Sequence, residues 1–115
     1  MNQIAINPTL ALYWKLIRGN NILIIGVNML FLYFLLEGAS TSPTSLFLSE
    51  LFAFIFGSMC IAASGNVIND LFDQKADAVN KPDKRIIGVS ISEHEGMNFY
   101  VFLVALGVLI PALYA

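Results

Sequence analysis

The sequence has few of the residues that build disulfide, metal or nucleic-acid sites. Its 115 residues include one cysteine, Cys60, and one histidine, His94, so neither a disulfide framework nor a Cys/His metal site can be assembled. Charge is also scarce, since six Lys and Arg against eight Asp and Glu give a net charge of −2. Such a balance leaves no basic surface for a phosphate backbone, and it excludes nucleic-acid binding as a function.

Apolar residues dominate the chain instead. They make up 57% of it, against the roughly 45–50% usual for soluble domains, and the mean hydropathy is +0.74. A chain of this length forms one domain at most. The composition therefore predicts a small membrane-embedded unit that sits in a lipid bilayer.

Three stretches are long and apolar enough to cross a bilayer, which takes ~20 residues of helix. They lie at residues 13–36, 46–69 and 96–115. The first two are separated by EGASTSPTS, whose Gly, Pro and Ser residues are typical of a turn. We predict an all-α, polytopic transmembrane helical bundle with about three spans and a short external loop between the first two.

The cations of the chain predict its orientation. All lysines and arginines lie before the first span or between the second and third, at positions 15, 18, 75, 81, 84 and 85. Because Lys and Arg are enriched in cytoplasmic loops, we predict that the N-terminus and residues 66–95 face the cytoplasm. The expected location is the cell inner membrane, with several passes.

Residues 65–85, GNVINDLFDQKADAVNKPDKR, concentrate the charge of the chain. On a helix, Asn66, Asp70, Asp73 and Asp77 fall within a stripe about 60° wide, with Asn69 beside it. Like charges at these spacings repel, so a cation is expected against the stripe. Mg²⁺ takes one or two carboxylates together with substrate phosphates. The stripe favours Mg²⁺ bridged to a diphosphate, and a solvated charged helix remains the alternative.

The first span carries polar residues that can face this stripe. Arg18, Asn21 and Asn28 lie within about 80° of one another on a continuous helix. The planar guanidinium of Arg suits phosphate oxygens because its donors form a fork. The spacing therefore predicts a second, donating face for the same anion.

Two other classes remain open on this pattern. A membrane CDP-alcohol phosphotransferase also uses a D-x-x-x-D pair such as Asp73 and Asp77, but the D-G-x-x-A-R element that precedes it there is absent. A small, non-enzymatic membrane interaction protein would leave the acidic face merely solvated. An EF-hand fits poorly, because the sixth position from Asp70 is Lys75 and not Gly.

Residues 69–77, NDLFDQKAD, resemble the first Asp-rich motif, N-D-x-x-D-x-x-x-D, of the UbiA-type intramembrane prenyltransferases. The flanking GNVIND and NKPDKR are similar to the end of that family's second helix and its following loop. LIRGNN, at residues 16–21, resembles the R-x-x-N element of its first helix. The resemblance covers nearly the whole chain.

This resemblance implies transfer of a prenyl group from a polyprenyl diphosphate to an aromatic or glycerol-phosphate-type acceptor, with Mg²⁺ as cofactor. The motif match carries over Asp70, Asp73 and Asp77 as catalytic residues, which with Asn69 hold the metal. Residues implied to contact the diphosphate are Arg18, Asn21, Asn66, Asn69, Lys81, Lys84 and Arg85.

Length separates the chain from whole members of that family. They have about nine helices and a second Asp-rich motif, so residues 1–115 are expected to be the N-terminal part of one membrane-embedded prenyltransferase domain. Three helices cannot enclose a long isoprenoid, and we expect the 115-residue chain alone to be inactive.

Overall fold

The computed structural model describes residues 9–37 and 45–114. Helices account for most of this part of the chain: α1 (Thr9–Leu16), α2 (Gly19–Glu37), α3 (Ser45–Phe72), α4 (Gln74–Asn80), a 3-10 turn (Pro82–Lys84) and α5 (Glu93–Ala112). An isolated β-bridge joins Ile87 and Ile91 between the 3-10 turn and α5.

Three of these helices are long and apolar enough to span a membrane, at Gly19–Leu36, Leu48–Phe72 and Glu93–Ala112. This confirms the predicted all-α membrane bundle. The spans begin and end a few residues from the expected positions, and the expected external loop lies largely outside the described residues.

The first expected span, residues 13–36, is divided in the structure. Helix α1 ends at Leu16 and α2 begins at Gly19, because Arg18 adopts a left-handed backbone conformation with φ of 55°. The same conformation corrects the expectation that Arg18, Asn21 and Asn28 share one helical face. Asn21 and Asn28 lie on α2, whereas Arg18 lies in the break before it.

Helix α5 begins three residues before the expected start of its span because a capping box defines its first turn. The Ser92 hydroxyl accepts the Glu95 amide at 3.0 Å, and the Glu95 carboxylate accepts the Ser92 amide at 3.0 Å. Two N–H groups that a helix start would leave unpaired are thereby satisfied. The S-x-x-E signature at residues 92–95 is the sequence signal for this start.

Helix α3 is the centre of the bundle, with α2 and α5 packed antiparallel against it. On the α2 side Gly26 packs against Met59, and on the α5 side Gly107 packs against Gly57. The buried core joins all three helices and the connection after α4, and its members are Leu16, Ile22, Cys60, Ala63, Val67, Leu71, Ile87, Ile91 and Leu103. Cys60 is therefore a core residue of α3.

The turn after the 3-10 helix fixes the charged connection onto this core. Gly88 has a φ of 88°, a conformation that glycine adopts without the steric cost of a side chain, and its amide donates to the Ile91 carbonyl at 2.7 Å. Ile87 and Ile91 are consequently buried, at 2% and 3% exposure. The basic residues just before this turn are thus anchored beside the ends of α3 and α5.

Candidate diphosphate site

The helix break at Arg18 places a guanidinium against the Asp-rich end of α3. Arg18 Nη2 donates to Asp70 Oδ1 at 3.1 Å. Their side chains are 41% and 21% exposed, so the pair is partly screened by solvent. Since a guanidinium has five N–H donors, this contact leaves others for a second anion.

A second contact holds the same break. The Asn66 side-chain amide donates to the Ile17 carbonyl at 2.7 Å. Asn66 precedes Asp70 by one helical turn on α3, so both residues reach the α1–α2 break from the same face. Ile17 and Arg18 are distant in sequence from α3, and each is hydrogen-bonded to a side chain of that helix.

The acidic stripe bends where α3 gives way to α4. Asp73 lies between the two helices, with φ of −94° and ψ of 15°, and its side chain makes no capping hydrogen bond. Backbone hydrogen bonds continue through the bend, from the Asp73 amide to the Asn69 carbonyl at 2.9 Å and from the Asp77 amide to the Asp73 carbonyl at 2.8 Å. The helical register is therefore nearly kept, although the helix is locally irregular.

A cavity of about 610 Å³ opens between α1, the end of α3, α4 and the following connection. Five basic and three acidic residues line it: Lys15, Arg18, Lys81, Lys84, Arg85, Asp70, Asp77 and Asp83. Basic side chains outnumber carboxylates, so this surface suits an anion. The two motif carboxylates that line it can at the same time face a hard cation bound to that anion.

The structure brings together only part of the predicted site. Of the residues implied by the resemblance, six line the cavity: Arg18, Asp70, Asp77, Lys81, Lys84 and Arg85. The other four, Asn21, Asn66, Asn69 and Asp73, are not among its lining residues. Within residues 9–37 and 45–114, no three His, Cys, Asp or Glu side chains lie close enough to hold a metal ion by themselves.

Asn21 lies on a smaller neighbouring surface. A shallow cavity of about 290 Å³ is lined by Arg18 and Asn21 together with Trp14, Lys15, Gly19 and Asn20. Arg18 is shared by the two cavities. Asn21 is therefore close to the charged site, on the other side of the helix break.

Cationic side chains of the connection differ in how firmly they are held. Lys81 Nζ lies 3.9 Å from Asp77 Oδ1, and the Lys81 side chain is 57% exposed, an arrangement that contributes little to stability. Arg85 is half-buried, and its Nε has no hydrogen-bond partner within the described part of the chain. A buried donor of this kind is costly unless a ligand or water completes it.

Sequence reasoning missed seven residues of the cavity wall, three of which carry a charged or amide side chain. Lys15 precedes Arg18 by three residues, and residues at this spacing on a helix share a face. The spacing could therefore have indicated that both side chains line the cavity. Asp83, next to the predicted basic residues, lines the cavity although it lies outside the Asp-rich motif. Gln74 also lines it and connects α4 to the start of α5, because its amide donates to Glu93 Oε2 at 2.7 Å; no sequence signal indicated this contact.

The bundle and its charged end define a helical integral membrane protein with a predominantly basic cavity at one end of its central helix. The sequence model of the UbiA prenyltransferase family matches residues 19–114, and the chain belongs to that family. This confirms the resemblance carried by residues 69–77. It also favours the prenyltransferase interpretation over a CDP-alcohol phosphotransferase.

Named relatives agree with this membership. The chain is 31% identical over 101 residues to the digeranylgeranylglyceryl phosphate synthase of Metallosphaera sedula, covering 88% of this chain and 34% of the relative. It is 29% identical over 108 residues to the enzyme of that name from Methanosarcina mazei, covering 85% and 36%. The chain thus spans about a third of the length of the curated relatives it matches. No solved structure matches it.

Proposed function

We propose that this chain is part of an enzyme that transfers a prenyl group from a polyprenyl diphosphate to an acceptor. The observation that carries the proposal is the Arg18–Asp70 pair at 3.1 Å on a predominantly basic cavity. Membership of the UbiA prenyltransferase family supports it. In this assignment the cavity receives the diphosphate, and the apolar spans shield the prenyl chain from water.

The basic residues of the cavity bind the leaving diphosphate. Arg18 and Arg85 offer forked donors, and Lys81 and Lys84 add positive charge that lowers the energy of the developing anion. The Nε of Arg85 supplies a donor that has no partner among the described residues. Because bond breaking leaves an allylic carbocation, exclusion of water on the apolar side also matters.

Magnesium fits the carboxylates of this site. Asp70 and Asp77 line the cavity from consecutive helices, and Mg²⁺ typically takes one or two carboxylates plus substrate phosphates. When bound, the ion neutralises charge on the diphosphate. Asn69 and Asp73 complete the proposed metal set by the motif match. Asp73 is exposed at the bend in the structure.

The proposed acceptor is a prenylated glycerol phosphate. Both relatives described above carry the name digeranylgeranylglyceryl phosphate synthase. We also propose that residues 1–115 form the N-terminal part of a larger domain in a cell inner membrane, with the Asp-rich end in the cytoplasm. Supporting observations are the fraction of the relatives that the chain spans and the one-sided distribution of its cations.

The test compares the complete reading frame that carries this chain with residues 1–115 alone, both purified in detergent. Each is supplied with Mg²⁺, a labelled polyprenyl diphosphate and either a prenylated glycerol phosphate or an aromatic acid. We expect transfer to the glycerol phosphate by the complete protein, loss of transfer when EDTA removes the metal, and none by residues 1–115. Transfer only to the aromatic acid would overturn the acceptor assignment, and no transfer at all would overturn the function.

A further inference from the structure

The backbone carbonyl of Ile17 is left without its helical donor. In a continuous helix the Asn21 amide would donate to it, but the Asn21 and Ile22 amides both donate to the Arg18 carbonyl, at 2.9 and 3.2 Å. The Asn66 side chain supplies the missing hydrogen bond at 2.7 Å. A residue of α3 therefore satisfies the main-chain group that the break exposes.

The break also lies beside the two most deeply buried large side chains of the described core. Leu16, directly before Ile17, and Val67, directly after Asn66, are both fully buried. A left-handed conformation at a non-glycine residue is energetically unfavourable, and it persists only where the surrounding structure over-determines it. Here the surroundings are two buried apolar side chains, Leu16 and Val67, and one long-range hydrogen bond.

The geometry points to Asn66 as a positioning residue for Arg18, an inference that rests on the proposed function. Asn66 holds the backbone one residue before Arg18, and Asp70, one turn later on α3, receives the guanidinium at 3.1 Å. Asn66 is absent from the cavity wall whereas Arg18 and Asp70 line it. Asn66 thus acts on the diphosphate through Arg18 and makes no contact of its own.

A double-mutant cycle separates this role from the direct diphosphate contact that the sequence resemblance implied. The complete protein is compared with Asn66→Ala, Arg18→Ala and the double variant by titration with inorganic pyrophosphate in the presence of Mg²⁺. The loss of one positioning hydrogen bond is expected to weaken binding about tenfold in Asn66→Ala. The double variant is expected to bind as weakly as Arg18→Ala and no more weakly.

Two further variants show whether a change in pyrophosphate binding comes from loss of the Asn66 N–H donor. Asn66→Asp preserves the size of the side chain but removes the N–H donor and places a carboxylate against the Ile17 carbonyl, so it should weaken binding at least as much as Asn66→Ala does. Ser64→Ala is the matched control. The Ser64 hydroxyl is buried in α3 and donates within its own helix, to the Ile61 carbonyl at 2.6 Å, so its loss should leave pyrophosphate binding unchanged.

Prenyl-transfer kinetics add a second measurement. Asn66→Ala should raise KM for the polyprenyl diphosphate and lower kcat, as Arg18→Ala does. Multiplicative losses in the double variant, or unchanged binding in Asn66→Ala, would overturn the positioning role. A protein that binds pyrophosphate with the expected coupling but transfers no prenyl group would overturn the proposed function alone, and a parent protein that binds no pyrophosphate would overturn both.

Discussion

The two sides of α3 are built in different ways. Toward α5, Gly57 and Gly107 approach so closely that a Cβ on either would lie 2.9 Å from the carbonyl oxygen of the other. Toward α1 and α2, the contact at the cavity end consists of a helix break, the Asn66 hydrogen bond and the Arg18–Asp70 pair. The α5 side is a close apolar contact, whereas the α1–α2 side adds polar, specific contacts to the apolar packing of Gly26 against Met59.

This difference follows from what each side faces. Lipid tails are as apolar as Leu, so helices in a membrane associate through close packing of small residues rather than by hiding apolar surface. Polar groups in such a protein are costly and usually mark a functional cavity. We infer that the α5 side of α3 supplies the scaffold, and that the α1–α2 side supplies the site.

Removing Asp70 should have the largest effect on prenyl transfer, because it disrupts the polar contacts between α3 and the α1–α2 break and leaves the contact with α5 intact. Asp70→Ala in the complete protein takes away the partner of Arg18 and a carboxylate of the cavity. Loss of metal and charge stabilisation is expected to lower kcat/KM about 10²-fold or more. Steady-state prenyl transfer measures this.

The control for that variant has to lie away from the cavity. Asp83 is unsuitable because it lines the same wall, whereas Glu50 is an exposed carboxylate nearer the opposite end of α3. Glu50→Ala should transfer at the parent rate. Equal losses in Asp70→Ala and Glu50→Ala would show that the polar side of α3 has no special role in the reaction.

Side-specific labelling tests whether the polar side of α3 opens to the cytoplasm. Cysteines at Ser42 and Ala78 are introduced one at a time into a Cys60→Ala background. Ala78 is exposed on α4, whereas Ser42 falls outside the described residues. An impermeant thiol reagent should label them from opposite faces of the membrane. Labelling of both positions from one face would contradict the orientation proposed from the cations.

The sequence predicted the helical bundle and brought forward two carboxylates that line the cavity, for physical reasons that can be named. Uncharged stretches of bilayer length predict spans directly. The spacing of Asp70 and Asp77 put them on one helical face, and both line the cavity. Sequence spacing assumes an ideal, continuous helix, however, and it therefore failed at Arg18, where the backbone turns left-handed.

The same assumption could not predict the bend at Asp73 or the hydrogen-bond partner of Asn66. The bend between α3 and α4 is a local departure from helical geometry at Asp73, and Asp73 is not among the residues that line the cavity. The partner of Asn66 is a main-chain carbonyl 49 positions away. Such a contact depends on how α1 packs against α3, which no local pattern in the sequence encodes.

Glycine substitutions test the close contact between α3 and α5. Gly57→Ala and Gly107→Ala would each drive a methyl group against a backbone carbonyl 2.9 Å away, and overpacking of this kind typically costs about 1–3 kcal/mol. Unfolding in mixed detergent and SDS measures the change in free energy.

The matched control for these variants is Gly65→Ala, which makes the same chemical change on the same helix. Apart from the neighbouring residues of its own helix, nothing in the described structure lies within 4 Å of a Cβ at Gly65, so the higher helix propensity of Ala should leave stability equal or raise it by up to about 1 kcal/mol. If Gly57→Ala and Gly65→Ala behaved alike, close packing would not be what holds α5 to α3.

The smallest expected effect concerns the start of α5, which directly follows the charged connection. Ser92→Ala removes one of the two hydrogen bonds of the capping box, and loss of such a cap typically costs ~1 kcal/mol. Because Ser92 is not on the cavity wall, the unfolding free energy should fall while the KM for the polyprenyl diphosphate stays at the parent value.

Ser58→Ala, which loses a hydroxyl bonded to the Phe54 carbonyl within α3, is the control and should change neither quantity. An increase in KM in Ser92→Ala would show that the scaffold and the polar side are coupled through the connection.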